Sequence, residues 1–295
     1  MCVDCGCSDD GDVKVTNLET GHVAMINSHH HDNHHHLFEV RQSPTEGNPP
    51  TALAHHHTHV LPNGSVVTHT HHHNEPAHIH AQVHSTTISV EADILAKNNL
   101  LAAQNRGWFK GRNILALNLM SSPGAGKTTL LTRTIKDLKE KLPISVIEGD
   151  QETINDAQKI QDTGCKVIQI NTGTGCHLDA GMIDKGLQQL NPPLNSVVMI
   201  ENVGNLVCPA LFDLGENAKV VILSVTEGED KPIKYPHMFR ASQVMIITKL
   251  DLLPYVQFDV EKCIEYARQV NPQIQVFQVS AQTGQGLNDW YDWLQ

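Results

Sequence analysis

Residues 114–135, ILALNLMSSPGAGKTTLLTRTI, run from an apolar stretch through a Ser/Pro/Gly turn into a run of good helix formers. Strand, tight loop and helix, with Gly-Lys-Thr at the last junction, is the order that a phosphate cradle requires. Backbone N–H groups at the start of the helix face the anion, and small residues let the chain approach it closely. Gly124, Ala125, Gly126, Lys127, Thr128 and Thr129 therefore form the candidate phosphate site. Lys127 is placed to reach the β and γ oxygens and Thr128 to hold Mg2+. Ser121 stands where the pattern G-x-x-x-x-G-K-[ST] has its first glycine.

Such a loop commits the following chain to a sheet. Apolar runs at 114–120, 144–148, 166–170, 196–200, 219–225, 243–247 and 275–279 are separated by stretches of helical spacing, which predicts an α/β domain with a doubly wound, mostly parallel sheet of the P-loop type. Ligands of these sheets lie at the loops that follow the strands. Asp150, in EGDQ, is placed to meet the magnesium shell. Glu201 and Gly204, in IENVG, read as an acid followed by a glycine that senses the γ-phosphate. Lys127, Asp150 and Glu201 are the candidate catalytic residues, and no side chain stands out as the group that positions water. In TKLD, Asp251 would accept hydrogen bonds from N1 and the exocyclic amine of guanine, Lys249 would cover the base, and Thr248 stands where N-K-x-D motifs have Asn. In SAQTG, where Ser280 is a further candidate nucleotide-binding residue, Ala281 would present its backbone to the guanine carbonyl. Adenine lacks those donors, so GTP is expected rather than ATP.

The front of the chain has a different chemistry. Of 20 histidines, 18 lie between His22 and His84, among Pro, Asn, Gly and Thr and few large apolar residues. That composition cannot build a core, so residues 1–85 are expected to be a flexible, disordered His-rich metal-binding segment and residues 86–295 the folded GTPase domain. Cys2, Cys5 and Cys7 form C-x-x-C-G-C, in which Gly6 permits a turn and three thiolates, with the Met1 amine as a possible fourth ligand, can surround one cation; zinc and nickel both fit. The triplets His57/His59, His69/His71 and His78/His80 put two imidazoles on one side of an extended chain. Within the domain, Cys176 and His177 follow one strand and Cys208 follows the next, four residues after Gly204, so the three can share a cation. A thiolate so near the sensor implies that nucleotide state and metal affinity are coupled. Cys165 and Cys263 read as structural and Lys231 as a surface lysine. Residues 88–113 predict a helix that packs through Ile94, Leu95, Leu100 and Leu101.

Charge and hydropathy exclude several classes. The formal net charge is −11, and no apolar run reaches 18 residues. Neither a nucleic-acid partner nor a membrane span is expected, and no secretory signal is seen, which predicts a cytoplasmic protein with reduced thiols.

Taken in order, C-x-x-C-G-C, the His-rich tract, NLMSSPGAGKTTLL, EGDQ, GTGCHLDA, ENVGNLVCPA, EGEDKPIKYPHMF and KLDLLPYVQFD resemble the HypB family, the nickel-incorporation GTPases of hydrogenase maturation. The resemblance implies a P-loop metallochaperone that forms a homodimer around GTP and delivers Ni2+ to the large-subunit precursor of a [NiFe]-hydrogenase, together with a second small nickel-binding maturation protein. It implies that Cys2, Cys5 and Cys7 are a tight nickel site, and that Cys176, His177 and Cys208 form a weaker site for Zn2+ or Ni2+ at the dimer interface. The departures are Ser121, Thr248 and ASQVM, where an Ala-Asp pair is common. Two readings compete: a nickel or zinc store whose P-loop domain only reports nucleotide state, and a small-molecule kinase, which gives no reason for guanine-reading loops.

Overall fold

The computed structural model describes residues 13–26, 55–60, 66–71, 80–151 and 154–295. Cys2, Cys5, Cys7, His78 and most of the His-rich tract lie outside the described residues. In chain order the strands are β1 (Val13–Asn17), β2 (Val23–Ile26), β3 (His55–Val60), β4 (Val66–His71), β5 (Leu115–Ser121), β6 (Ile144–Asp150), β7 (Lys166–Asn171), β8 (Val197–Glu201), β9 (Ala218–Ser224), β10 (Val244–Thr248) and β11 (Gln275–Gln278). The helices are α1 (His80–Gly111), α2 (Lys127–Leu138), α3 (Asn155–Gln161), α4 (Ala180–Leu190), α5 (Cys208–Leu211), α6 (Lys231–Lys234), α7 (Pro236–Ala241), α8 (Val260–Val270) and α9 (Leu287–Leu294).

Seven parallel strands stand in the order β11-β10-β9-β5-β8-β6-β7, each beginning within one residue of its expected position. Parallel neighbours need crossovers, and the helices supplying them cover both faces of the sheet. On one face Leu130, Leu131 and Ile135 of α2, Ile160 of α3 and Trp290 of α9 bury Leu117, Val146 and Val220. On the other, Phe109 of α1 with Ile183 and Leu187 of α4 covers Ile168 and Val198, while Phe239 of α7 and Ile264 of α8 cover Val221 and Met245. The apolar positions of α2 recur at helical spacing, which aims that helix's stripe at the sheet and its N-terminus at the strand ends. Buried Cys165 and Cys263 belong to these layers, and burial pushes both thiols up to about 12. Among the described residues no helix is long and apolar enough to cross a membrane.

Two differences from the expected fold stand out. First, β1 pairs antiparallel with β7 and β2 with β1, so Val13–Ile26, included above in the leading tract, extends the domain's sheet. VKVTN alternates like a strand with one buried face, and Val15 enters the core with no exposed surface, worth roughly 1.5–3 kcal/mol. The Asn17 side chain closes the turn by accepting from the N–H groups of Glu19 (2.9 Å) and Thr20 (3.2 Å), and Gly21 follows at φ 68°. Second, α1 forms, but on another face. Ile94 and Leu100 are 53% and 70% exposed, and Leu95 and Leu101 only partly buried, whereas Asn98, Ala102, Asn105 and Phe109 are buried.

The second compact unit, His30–Asp93, contains the β3–β4 hairpin, whose antiparallel register sets His55 opposite His71 and His57 opposite His69.

Candidate nucleotide and metal site

Strand β5 delivers the chain to the loop Ser121–Gly126, and α2 leaves it. Gly124 and Gly126 sit in the left-handed region at φ 76° and 96°, where a side chain is strained. No side chain caps α2 at Gly126, which leaves first-turn N–H groups to a ligand. Ser121 is more than a missing glycine: its hydroxyl receives the Lys127 ammonium at 2.9 Å and donates to the Ser122 carbonyl at 2.6 Å. Loss of water around that ammonium lowers its pKa, against the opposing charge of Glu201.

The Thr128 hydroxyl donates to Glu201 Oε1 at 2.7 Å, joining the helix start to the end of β8. Glu201 is buried, and its second oxygen has no hydrogen-bond partner. Burial pushes its carboxyl up to about 7, against the pull of Lys127 and Thr128. In register beside it on β6 is Glu148, also buried and pushed up to about 9, first by burial and then by the charge of Glu201. Asp150 ends β6 two residues further on, and its carbonyl accepts from the Thr172 N–H at 2.9 Å. A hydroxyl and carboxyl oxygens gathered at a phosphate loop fit Mg2+, which takes oxygen ligands. Glu148 escaped the sequence reading because its side of the strand is visible only once the strands are registered.

Gly204 faces the loop directly. A Cβ there would lie 3.1–3.2 Å from Pro123, so a larger residue requires the β8 loop or the phosphate loop to give by a few tenths of an ångström. Ser122 donates its hydroxyl to Glu227, which also accepts from the Ser224 N–H at 3.0 Å and pairs with Lys231 at 3.4 Å. Lys231 also stands 5.1 Å above the Tyr235 ring. It is thus tied to the phosphate loop through Glu227, where the sequence suggested a plain surface lysine.

The two candidate base-reading loops line one recess beside the start of α2. Thr248 donates its hydroxyl to the Ala125 carbonyl at 2.7 Å, and Lys249, at φ 62°, donates to the Gly124 carbonyl at 2.7 Å. The threonine that replaces Asn therefore holds the phosphate loop by its backbone. Ser280 donates to Asp251 Oδ1 and accepts from the Thr283 N–H at 3.1 Å, which orients the aspartate; Arg133 fixes the Ala281 carbonyl at 2.9 Å. A recess of roughly 240 Å3 is lined by Thr129, Thr248, Lys249, Asp251 and Ala281.

Cys176 and His177 occupy the turn between β7 and α4, whose first turn is capped by Asp179 accepting from the Met182 N–H at 2.8 Å. Cys208 opens α5, with Pro209 in its first turn. Fold and turn bring the three together: their ligand atoms all lie within 4.8 Å of one another, and Cys176 Sγ is 3.7 Å from His177 Nδ1. Two ligands at bonding distance from one tetrahedral ion are about 3.5–3.8 Å apart, so a small contraction completes the set. His177 stacks on Phe212 at 3.8 Å, and burial lowers its pKa, which favours the neutral imidazole that a metal needs.

A family model described as CobW/HypB/UreG, nucleotide-binding domain, matches residues 115–278. The hydrogenase maturation factor HypB of Escherichia coli K12 is 59% identical over 208 residues, covering 70% of this chain and 72% of that protein. That of Azotobacter vinelandii is 49% identical over 297 aligned positions, covering all of this chain and 92% of the relative. Among solved structures, HypB from Helicobacter pylori in complex with nickel superposes with a TM-score of 0.63 at 37% identity, covering 67% of this chain and 93% of that one.

Proposed function

The chain belongs to the HypB family of hydrogenase maturation factors within the CobW/HypB/UreG group, and on that basis we propose that it is a GTP-hydrolysing nickel metallochaperone. Its cargo is Ni2+ and its destination the large-subunit precursor of a [NiFe]-hydrogenase. The HypB names of its relatives and the nickel in the Helicobacter pylori structure support this reading. A homodimer, a small nickel-binding maturation protein as partner, and a cytoplasmic setting belong to the same proposal. Val207 and Leu211, 50% and 49% exposed on either side of Cys208, supply an apolar rim that a second copy would cover.

One observation carries the mechanism. The loop in which Gly204 lies so near Pro123 that an added Cβ would crowd it runs directly into Cys208, whose sulfur is gathered with Cys176 and His177. A γ-phosphate that moves the Gly204 backbone moves a metal ligand with it, so each ligand alters the affinity for the other by the same factor. Backbone N–H groups of Gly124 to Thr129 hold the phosphates, and Lys127, released from Ser121, neutralises the developing charge. Thr128, Glu201 and Asp150 would hold Mg2+, whose charge screens the phosphate oxygens. Zn2+ would suit the Cys176, His177 and Cys208 set as well as Ni2+ does. By the same ligand chemistry Cys2, Cys5 and Cys7 form a tighter capture site ahead of the domain.

Ni2+ titrations of chains in which Cys2, Cys5 and Cys7 are alanine test the coupling. Affinity is expected to differ at least about fivefold between the GDP form and a non-hydrolysable GTP analogue. Equal affinities would sink the linkage and favour the reading of a metal store with an idle nucleotide domain.

Base recognition gives a further expected result. Asp251→Asn cannot accept from two guanine donors, so GTP affinity falls at least about 100-fold. Xanthosine triphosphate, with a carbonyl in place of the exocyclic amine, should recover binding to the variant. An unchanged GTP/ATP preference in Asp251→Asn, measured by competition, removes guanine reading from these loops.

A further inference from the structure

Three buried asparagines, Asn98, Asn105 and Asn202, bond to the segment that follows Cys176 and His177, and one of them joins it to the loop after β8. Asn202 directly follows Glu201 and precedes Gly204 by two residues. Its Oδ1 accepts from the Leu178 N–H at 3.2 Å and from the Val203 N–H at 3.0 Å. Its Nδ2 donates to Asn118 Oδ1 at 3.1 Å, and Asn118 Nδ2 donates to Glu216 Oε1 at 3.2 Å. The other oxygen of Glu216 accepts from the Leu214 N–H at 2.7 Å. The Asn202 backbone N–H is itself bonded to the Leu119 carbonyl at 3.0 Å. With 1% of its surface exposed, Asn202 has no water to turn to, and its amide orientation is set by these partners.

Leu178 is the residue next to His177. Two positions further on, Ala180 is held from a different direction by α1: its N–H donates to Asn98 Oδ1 at 2.9 Å, and its carbonyl accepts from Asn105 Nδ2 at 2.8 Å. Asn105 also donates to the Leu214 carbonyl at 3.0 Å, Asn98 donates to that of Asp213 at 2.8 Å, and Arg106 pairs with Asp213 at 2.6 Å. The segment from His177 to Ala180 is therefore fastened to α1 at one end and to the Glu201–Gly204 loop at the other. When the second fastening shifts and the first does not, the ring of His177 must re-aim.

We infer that Asn202 is a positioning residue that carries the state of the phosphate-facing loop to His177, by a path separate from Cys208. This rests on the reading above that Cys176, His177 and Cys208 hold a metal ion and that the loop after β8 responds to nucleotide. The backbone link through Cys208 and the side-chain link through Asn202 move two ligands of the same ion together, which is how a small displacement at the phosphate becomes a change in metal affinity.

The test compares Asn202→Ala with the wild-type residue in full chains lacking the Cys2, Cys5 and Cys7 thiols, by Ni2+ titration in GDP and in a non-hydrolysable GTP analogue. The expected result is a ratio of the two affinities within about twofold of one in the variant, against at least about fivefold with Asn202 present, with affinity for each nucleotide changed by less than about threefold. A variant that keeps the full ratio overturns the inference. So does one that loses metal affinity by the same factor in both nucleotide states, since that marks a merely structural residue. A ratio of one with Asn202 present overturns the functional reading, and this inference with it. Should Asn202→Ala fail to fold, amide exchange at Leu178 in the chain with Asn202 decides: protection that differs between the two nucleotides supports the link, and equal protection overturns it.

Discussion

Replacing Cys208 with alanine lowers the domain's affinity for Ni2+ or Zn2+ by at least about 100-fold, since it removes one of three protein ligands and more than the 10–100-fold that outer-shell changes cost. GDP binding should change by less than about threefold, because Cys208 opens α5, four residues beyond Gly204, and is not among the residues that line the recess at Thr248 and Asp251. The fold should hold as well: alanine fills most of a small buried site, and the residues that cover the sheet faces are elsewhere. The measurement is metal competition against a chromophoric chelator, in a chain whose Cys2, Cys5 and Cys7 are already alanine so that only the domain's site is read. Retention of wild-type affinity in Cys208→Ala would place the ion elsewhere and cut the connection between the nucleotide loop and the cargo.

Lys127→Ala is the second large effect. Hydrolysis should fall by about 10²–10³-fold or more, the cost of removing one pre-aimed charge from a phosphoryl-transfer site. The nucleotide-free chain should nevertheless stay folded, because the ammonium is held at the loop by Ser121 and loses water there. Its removal also withdraws the cation that holds the Glu201 carboxyl down at about 7 against the effect of burial. With Lys127 gone, Glu201 keeps its proton to higher pH. Residual hydrolysis in the variant should then rise with pH over a range above that of the parent, as measured by phosphate release from GTP. Wild-type turnover in Lys127→Ala is the outcome that would take the loop out of the chemistry.

The stretches most open to reading from sequence were those in which local order and chemistry coincide. The seven parallel strands could be placed because each is a short apolar run between helical stretches, and a buried strand needs little else. The candidate phosphate loop and the two candidate base-reading loops stood out in the sequence because a tight turn beside an anion or a base admits few residue types. Long-range pairing was less visible. VKVTN is five residues with one buried face, embedded in a histidine-rich context, and nothing local says that the edge of β7 awaits it. The packing face of α1 misled for a different reason. Apolar content favoured Ile94 and Leu100, yet the helix buries Asn98 and Asn105, because carbonyls of Ala180, Asp213 and Leu214 at that surface need donors.

Sequence by itself determined the α/β class, the order of the ligand-bearing loops and the residue types at each, since backbone sterics, helix periodicity and ligand chemistry act over a few residues at a time. Tertiary structure decided which of those residues meet. Cys176 and Cys208 stand 32 positions apart in the chain, and only the parallel pairing that sets β7, β6 and β8 side by side brings their sulfurs, with the His177 ring, into one cluster. It also decided what Ser121, Thr248 and Asn202 do, for a hydroxyl or carboxamide acquires a role only when burial removes water and leaves it one set of partners.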